Sequence, residues 1–233
     1  MKKYFYLFFI SSITSFNCFS QDATSVSLSL GTGIPVRAFA SKNNKGDSAG
    51  VAQIGGVTDI SVSYKLLRNF GFTGMLRGQI NGSNAQALSD SLNKTQPSVQ
   101  WSVSGTSWKM IGLMAGCFGD FKISKNWNCH ANVLIGVLDV TCPEYTTTGT
   151  SANGNIWTKQ YKSSSSAFAL LAGIGLKRKI KDKYFILFKA DYYYSYPEFN
   201  NVEIDSSVDY PKFTNINQKI ESVNVSVGFG ITL

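Results

Sequence analysis

Cysteine, histidine and long apolar runs are scarce in this chain, and each scarcity removes a class of explanation. Four cysteines occur in 233 residues. They stand at Cys18, Cys117, Cys129 and Cys142, which form no CxxC pair and no disulfide framework. His130 is the single histidine, so there is no HExxH helix, and no glycine loop of the phosphate-cradling kind is present. No metal or cofactor is expected. Past Ser20 no apolar stretch approaches the ~20 residues of a membrane-spanning helix. If the chain enters a bilayer it must do so as a closed barrel, the other backbone architecture that satisfies its own polar groups. Charge is unbalanced, with a formal net of +8. An exported chain has little access to nucleic acid, so none is expected as a partner.

The first residues read as an export signal. Lys2 and Lys3 precede the apolar run Tyr4 to Ile10, and a Ser/Thr stretch ends in Cys18-Phe19-Ser20, the charged, apolar and small-residue zones of a secretory leader. Cleavage before Gln21 leaves residues 21–233 as one domain. Two other readings of the segment remain, a membrane anchor interrupted by Ser11, Ser12 and Thr14, and a lipoprotein acylated at Cys18.

Beyond the leader, apolar residues alternate with small or polar ones, the two-residue period of a strand with one buried face. Val223, Val225, Val227, Phe229, Ile231 and Leu233 alternate with Ser222, Asn224, Ser226, Gly228, Gly230 and Thr232. Seven earlier segments repeat the pattern, through Leu28, Ile60, Phe72, Leu113, Val133, Leu170 and Phe188. Alternation alone does not separate a soluble sandwich from a membrane barrel. Connection lengths do. Tight links around Arg68-Asn69, Ser124-Lys125-Asn126 and Lys179 to Lys183 alternate with long segments of about residues 39 to 55, 82 to 108, 142 to 165 and 196 to 219. That exchange predicts an all-β fold, an eight-stranded antiparallel up-and-down transmembrane β-barrel with short turns on the periplasmic side and long loops outside.

The opposite parity gives the lumen. It places Asp59, Arg77, His130, Lys189 and Asp191 in one interior polar network, with Asp59 expected to pair with Arg77 and Asp191 to have Lys189 or Arg77 beside it, because isolated charges there are costly. An interior of ~8 strands is just wide enough for side chains to fill, which favours a plug, while a narrow porin-like channel stays open as an alternative. His130 has Ala131 and Asn132 as neighbours and no adjacent serine, so the histidine-serine pair of a membrane acyl hydrolase is incomplete and no enzyme is expected.

Further features concern the rims. Asn153-Gly154 signals a hairpin in the third long segment, with Tyr145 to Thr150 pairing against Ile156 to Tyr161 and extending strands five and six beyond the bilayer. Val99, Trp101 and Val103 share the parity of Ile111, which would extend strand four likewise. Phe70, Phe121, Trp127, Tyr184, Tyr192, Tyr194, Tyr196 and Trp108 fit two interfacial girdles. Basic residues gather at the short turns, as Arg68, Lys125 and Lys177 to Lys183, and acidic ones in the fourth loop, as Glu198, Glu203, Asp205 and Asp209.

These segments, loop lengths and the terminal Asn224-Val225-Ser226-Val227-Gly228-Phe229-Gly230-Ile231-Thr232-Leu233 resemble the small outer-membrane barrels typified by the OmpA membrane domain and OmpX. The resemblance implies location in a bacterial outer membrane, contact with its lipids, and a C-terminal signal read by the barrel-assembly machinery through Phe229, Ile231 and Leu233. The chain departs from the family by ending in Leu233 and not in an aromatic. The Ser20-Gln21 junction resembles leaders of Bacteroidota, whose PorT-like barrels assist secretion. Family members act as anchors, adhesins, evasion factors or secretion accessories, so extracellular or periplasmic protein partners are implied without one being chosen.

Overall fold

The computed structural model describes residues 24–42, 49–152, 154–208 and 210–233; the leader read at 1–20, Asn153 and Asp209 lie outside them. In chain order the elements are β1 (Thr24–Pro35), α1 (Arg37–Ala40), β2 (Ala52–Lys65), β3 (Phe70–Ser83), α2 (Ala85–Thr95), β4 (Gln100–Gly105), β5 (Trp108–Lys122), β6 (Trp127–Thr141), β7 (Tyr145–Ser151), β8 (Gly154–Gln160), β9 (Ser164–Lys179), β10 (Tyr184–Ser195), β11 (Glu198–Ser206), β12 (Lys212–Asn217) and β13 (Ile220–Thr232).

Eight of the strands form a closed barrel in the order β1-β13-β10-β9-β6-β5-β3-β2. Every neighbour is antiparallel, and the first and last strands seal the wall from Ser25 opposite Thr232 to Pro35 opposite Ser222. Closure removes the unpaired edges that an open sheet would present. The links 66–69, 123–126 and 180–183 lie together at one rim, and the four long connections rise from the other. Alternation sorts the side chains as expected: Leu30, Ile111, Leu113, Phe168 and Ile174 are exposed on the outer wall, while Met75, Met114, Leu134, Leu171 and Tyr193 are buried inside. An outer wall of this kind is stable only against hydrocarbon, because in water it would be a continuous apolar patch around the molecule.

The long connections carry structure that the alternation did not reveal. A second sheet, ordered β12-β11-β8-β7-β4, stands above the open rim. The β7–β8 hairpin pairs from Tyr145 opposite Gln160 to Ser151 opposite Gly154. Gly154 opens β8 with a φ of 123°, a backbone conformation that glycine adopts without steric cost. The expectation that this hairpin simply continues strands five and six is corrected. Residues 142–144 and 161–163 interrupt both strands, Pro143 has no N–H to continue a ladder, and the Cys142 N–H donates to Ser163 O at 2.9 Å at the break. The extension read at Val99 to Val103 is corrected too: Val99 precedes β4, and Trp101 and Val103 lie in it, a separate strand that pairs with β7 from Gln100–Thr150 to Gly105–Tyr145.

α2 occupies a stretch read as loop. Asn84 caps it by accepting from the Ala87 N–H at 3.1 Å, and the helix then covers the outer edge of β4 with side chains acting as a substitute strand. Asn93 donates to Trp101 O at 3.0 Å and accepts from Trp101 N–H at 2.7 Å. Ser89 Oγ accepts from Val103 N–H at 2.7 Å.

Candidate functional site

The interior is built from four levels. At the open rim α1 turns Phe39 into the mouth, where it meets Trp108 edge-to-face at 5.5 Å, and Trp108 lies 6.2 Å from Phe199. Trp108 Nε1 donates to Gly50 O at 3.0 Å. Trp108 therefore does not belong to an interfacial girdle: it shares the inward parity of Met110 and Met114, and its buried N–H has a partner of the kind such a group requires. Beneath this aromatic layer Met110, Leu138, Val140, Leu171 and Tyr193 fill the bore.

The third level is charged. Arg77 lies directly opposite Asp59 across β3 and β2; its Nε and Nη2 donate to Asp59 Oδ1 and Oδ2 at 2.7 and 2.9 Å. The remaining fork reaches Asp191 at 2.8 and 3.0 Å. Lys189 Nζ donates to Asp59 Oδ2 at 2.5 Å, Asn224 Nδ2 to Asp191 Oδ1 at 2.8 Å, and the Tyr193 ring lies 5.3 Å from the guanidinium carbon. Two carboxylates and two cations make the set neutral; Asp59, Arg77 and Asp191 each hold more than one hydrogen bond, and Lys189 adds to its bond with Asp59 an ion pair with Asp191 at 4.0 Å, the condition under which buried ions are tolerated. The structure thus brings Asp59, Arg77, Lys189 and Asp191 together.

His130 stands apart from that set. Its cross-strand neighbour on the inward face of β5 is Asp120, and His130 Nδ1 lies 2.7 Å from Asp120 Oδ1. Lys177 and Lys65 reach the same carboxylate at 3.2 and 3.8 Å, Phe118 stacks on the imidazole at 5.7 Å, and Lys177 lies over the Phe185 ring at 4.1 Å. Lys177 is therefore an interior residue and not part of the basic turn cluster. Asp120 was not singled out from the sequence, although it shares the inward parity of Met114 and Phe118. Among the described residues no hydroxyl or thiol hydrogen-bonds to His130.

Between these two networks remains a space of about 30 Å³, room for about one water. The C-terminal residues lie on the outer wall: Phe229 stacks on Tyr184 at 5.8 Å, and Leu233 N–H donates to Thr24 O at 2.9 Å. Phe70 and Phe121 meet edge-to-face at 5.4 Å near the same rim, and Tyr192, on the opposite half of β10, donates to Glu221 at 2.8 Å.

The outer sheet provides the exposed surface. Its tip carries Val208, Tyr210 and Phe213 at 75, 90 and 65 % exposure. Trp157 stands beside them, since its N–H donates to Ser207 Oγ and its carbonyl accepts from Ser207 N–H, both at 2.9 Å. Deeper in the sheet Lys159 pairs with Glu144 at 3.0 Å, and this hydrogen bond holds the ammonium above its ordinary range.

Neither a protein-family model nor a curated protein matches the chain. Solved structures do. Neisserial surface protein A is 13% identical with a TM-score of 0.47, covering 90% of this chain and 97% of its own. Ail, the attachment invasion locus protein of Yersinia pestis, is 14% identical with a TM-score of 0.41, over 91% and 99%. A major outer membrane protein from Thermus thermophilus is 9% identical with a TM-score of 0.49, over 91% and 100%. The architecture is that of the small eight-stranded outer-membrane barrels, and it is the strand closure within this chain that carries the assignment.

Proposed function

We propose that this chain is a bacterial outer-membrane barrel without chemistry of its own, which holds an ordered external sheet in position for contact with a surface or a protein partner. The observation that carries the reading is the outer sheet itself. Three long connections pool five strands into one platform, one edge of that platform is capped by α2, and its tip exposes Trp157, Val208, Tyr210 and Phe213. Exposed aromatic clusters on a rigid scaffold are the usual anchors of recognition. Outer-membrane lipid would surround the apolar wall, and the assembly machinery would read Phe229, Ile231 and Leu233.

The filled bore supports this reading over a porin-like channel, because aromatic, apolar and ionic side chains occupy it at successive levels. It is tested on cells displaying equal amounts of the protein and of a Trp157→Ser/Tyr210→Ser/Phe213→Ser variant. Attachment to surfaces and self-aggregation should fall to background in the variant. Unchanged attachment, or discrete conductance of the purified wild-type protein in planar bilayers, would count against the reading.

A further inference from the structure

Between the rim of the barrel and the outer sheet lies a half-enclosed chamber of about 650 Å³, within the size range of small-molecule sites. Its chemistry differs from that of the ionic levels in the bore. The bore is held by ions, whereas among the described residues that line the chamber none is Asp, Glu, Lys, Arg or His. One wall is aliphatic: Leu88 and Leu92, four residues apart and so on one face of α2, converge with Val103 of β4, Ile204 of β11 and Ile216 of β12. The rest is neutral and hydrogen-bonding, from Tyr145, Thr147, Thr158, Gln160, Thr214 and Asn215. The Tyr145 hydroxyl is buried with the Ser83 hydroxyl near it and, among the described residues, no other partner, a poorly met donor of the kind native interiors seldom retain.

Two features of the floor point the same way. Trp108, locked between Phe39 and Phe199, closes the chamber toward the bore, so a molecule that enters from outside meets a dead end and not a conduit. Val51, which also lines the chamber, has a φ of 47°, a left-handed conformation rare for a β-branched residue. It is held there by its N–H to Ser41 O at 3.2 Å and its carbonyl from Asn84 N–H at 2.8 Å. Strain of this kind persists where the surroundings over-determine it, and it clusters at binding sites.

We infer that this chamber is a binding site for an uncharged amphipathic small molecule, one with a compact aliphatic body against Leu88, Leu92, Val103, Ile204 and Ile216 and a hydroxyl or amide toward Tyr145 and the threonine side. An ionised ligand is disfavoured because none of the described lining residues could pair its charge. The inference does not depend on the outer sheet meeting a surface, since it concerns the space beneath it.

The test uses the full barrel in lipid nanodiscs and three probes of one shape: 1-adamantanol, the adamantylammonium cation and the adamantane-carboxylate anion. Methyl NMR should show saturable shifts at Leu88, Leu92, Val103, Ile204 and Ile216 with adamantanol, and at least tenfold weaker binding of both ions. Two filling variants from opposite walls, Leu88→Trp and Ile204→Trp, should each abolish the shifts while the remaining barrel resonances stay in place. Equal binding of the ions, shifts confined to wall residues such as Ile111 and Leu113, or saturable binding that survives both filling variants would overturn it.

Discussion

Arg77 and Asp59 are cross-strand neighbours whose side chains meet twice, at 2.7 and 2.9 Å, inside a closed barrel. The pair is not self-sufficient: Arg77 also holds Asp191, and Asp59 also holds Lys189. Arg77→Met should destabilise the barrel by about 3–5 kcal/mol, the usual cost of leaving buried charge without its partner, read as a lower urea midpoint of the detergent-solubilised protein. The Asp59→Arg/Arg77→Asp exchange should not rescue it, because the exchanged arginine would face Lys189 and the exchanged aspartate would face Asp191. Rescue to wild-type stability would mean that the two residues act as an isolated pair.

Glycines in the wall divide by what lies against them. A Cβ on Gly136 would overlap the Leu113 carbonyl oxygen and Met114 Cα, whereas one on Gly74 would meet nothing within 4 Å. Gly136→Ala should therefore cost about 1–3 kcal/mol as an overpacking change, and Gly74→Ala should be neutral or slightly stabilising. Equal urea midpoints for the two variants would contradict the close approach of β5 and β6 at this level.

The outer sheet depends on side chains for its β4 edge. Asn93→Ala removes both bonds to the Trp101 backbone and Ser89→Ala the one to Val103. Amide exchange at Trp101 and Val103 should then accelerate roughly tenfold or more, consistent with about 1–3 kcal/mol per orphaned group, while exchange in β5 and β6 stays unchanged.

Burial pushes the Tyr145 phenol up to about 12, the nearby Ser83 hydroxyl opposing it by less. A folded-state pKa above the ordinary value of about 10 means that the stability held by the neutral phenol is complete below pH 10 and is lost as the pH rises toward 12. Alkaline titration should loosen the outer sheet over that interval, seen as faster proteolysis between β6 and β9. Tyr145→Phe should remove this step, and an unchanged step in the variant would assign it elsewhere.

The barrel was legible because an apolar outer wall and a filled bore impose a two-residue period on every strand, and because Arg68-Asn69 and Lys125-Asn126 sit where only tight turns fit. The pairing of Asp59 with Arg77 followed from the cost of burying either alone. The outer sheet was less legible. Five short strands above the rim have no single buried face, so Val103 and Trp101 read as an extension of β5 until their pairing with β7 is seen. α2 had its signals, an Asn84 cap and the Leu88 to Leu92 spacing, but eleven residues between two strands read as loop. Asp120 and Trp108 obeyed the inward parity of β5 and were missed for their positions near strand ends, where charge and aromatics are ordinarily assigned to the rims.

In the proposed orientation the outer sheet faces the cell exterior and the short turns face the periplasm. On a background with Cys117, Cys129 and Cys142 replaced by alanine, single cysteines at Tyr210 and at Lys125 report the two ends with a membrane-impermeant maleimide. Position 210 should label on intact cells and position 125 only after the outer membrane is permeabilised. Labelling of position 125 on intact cells, or of position 210 only after permeabilisation, would contradict it.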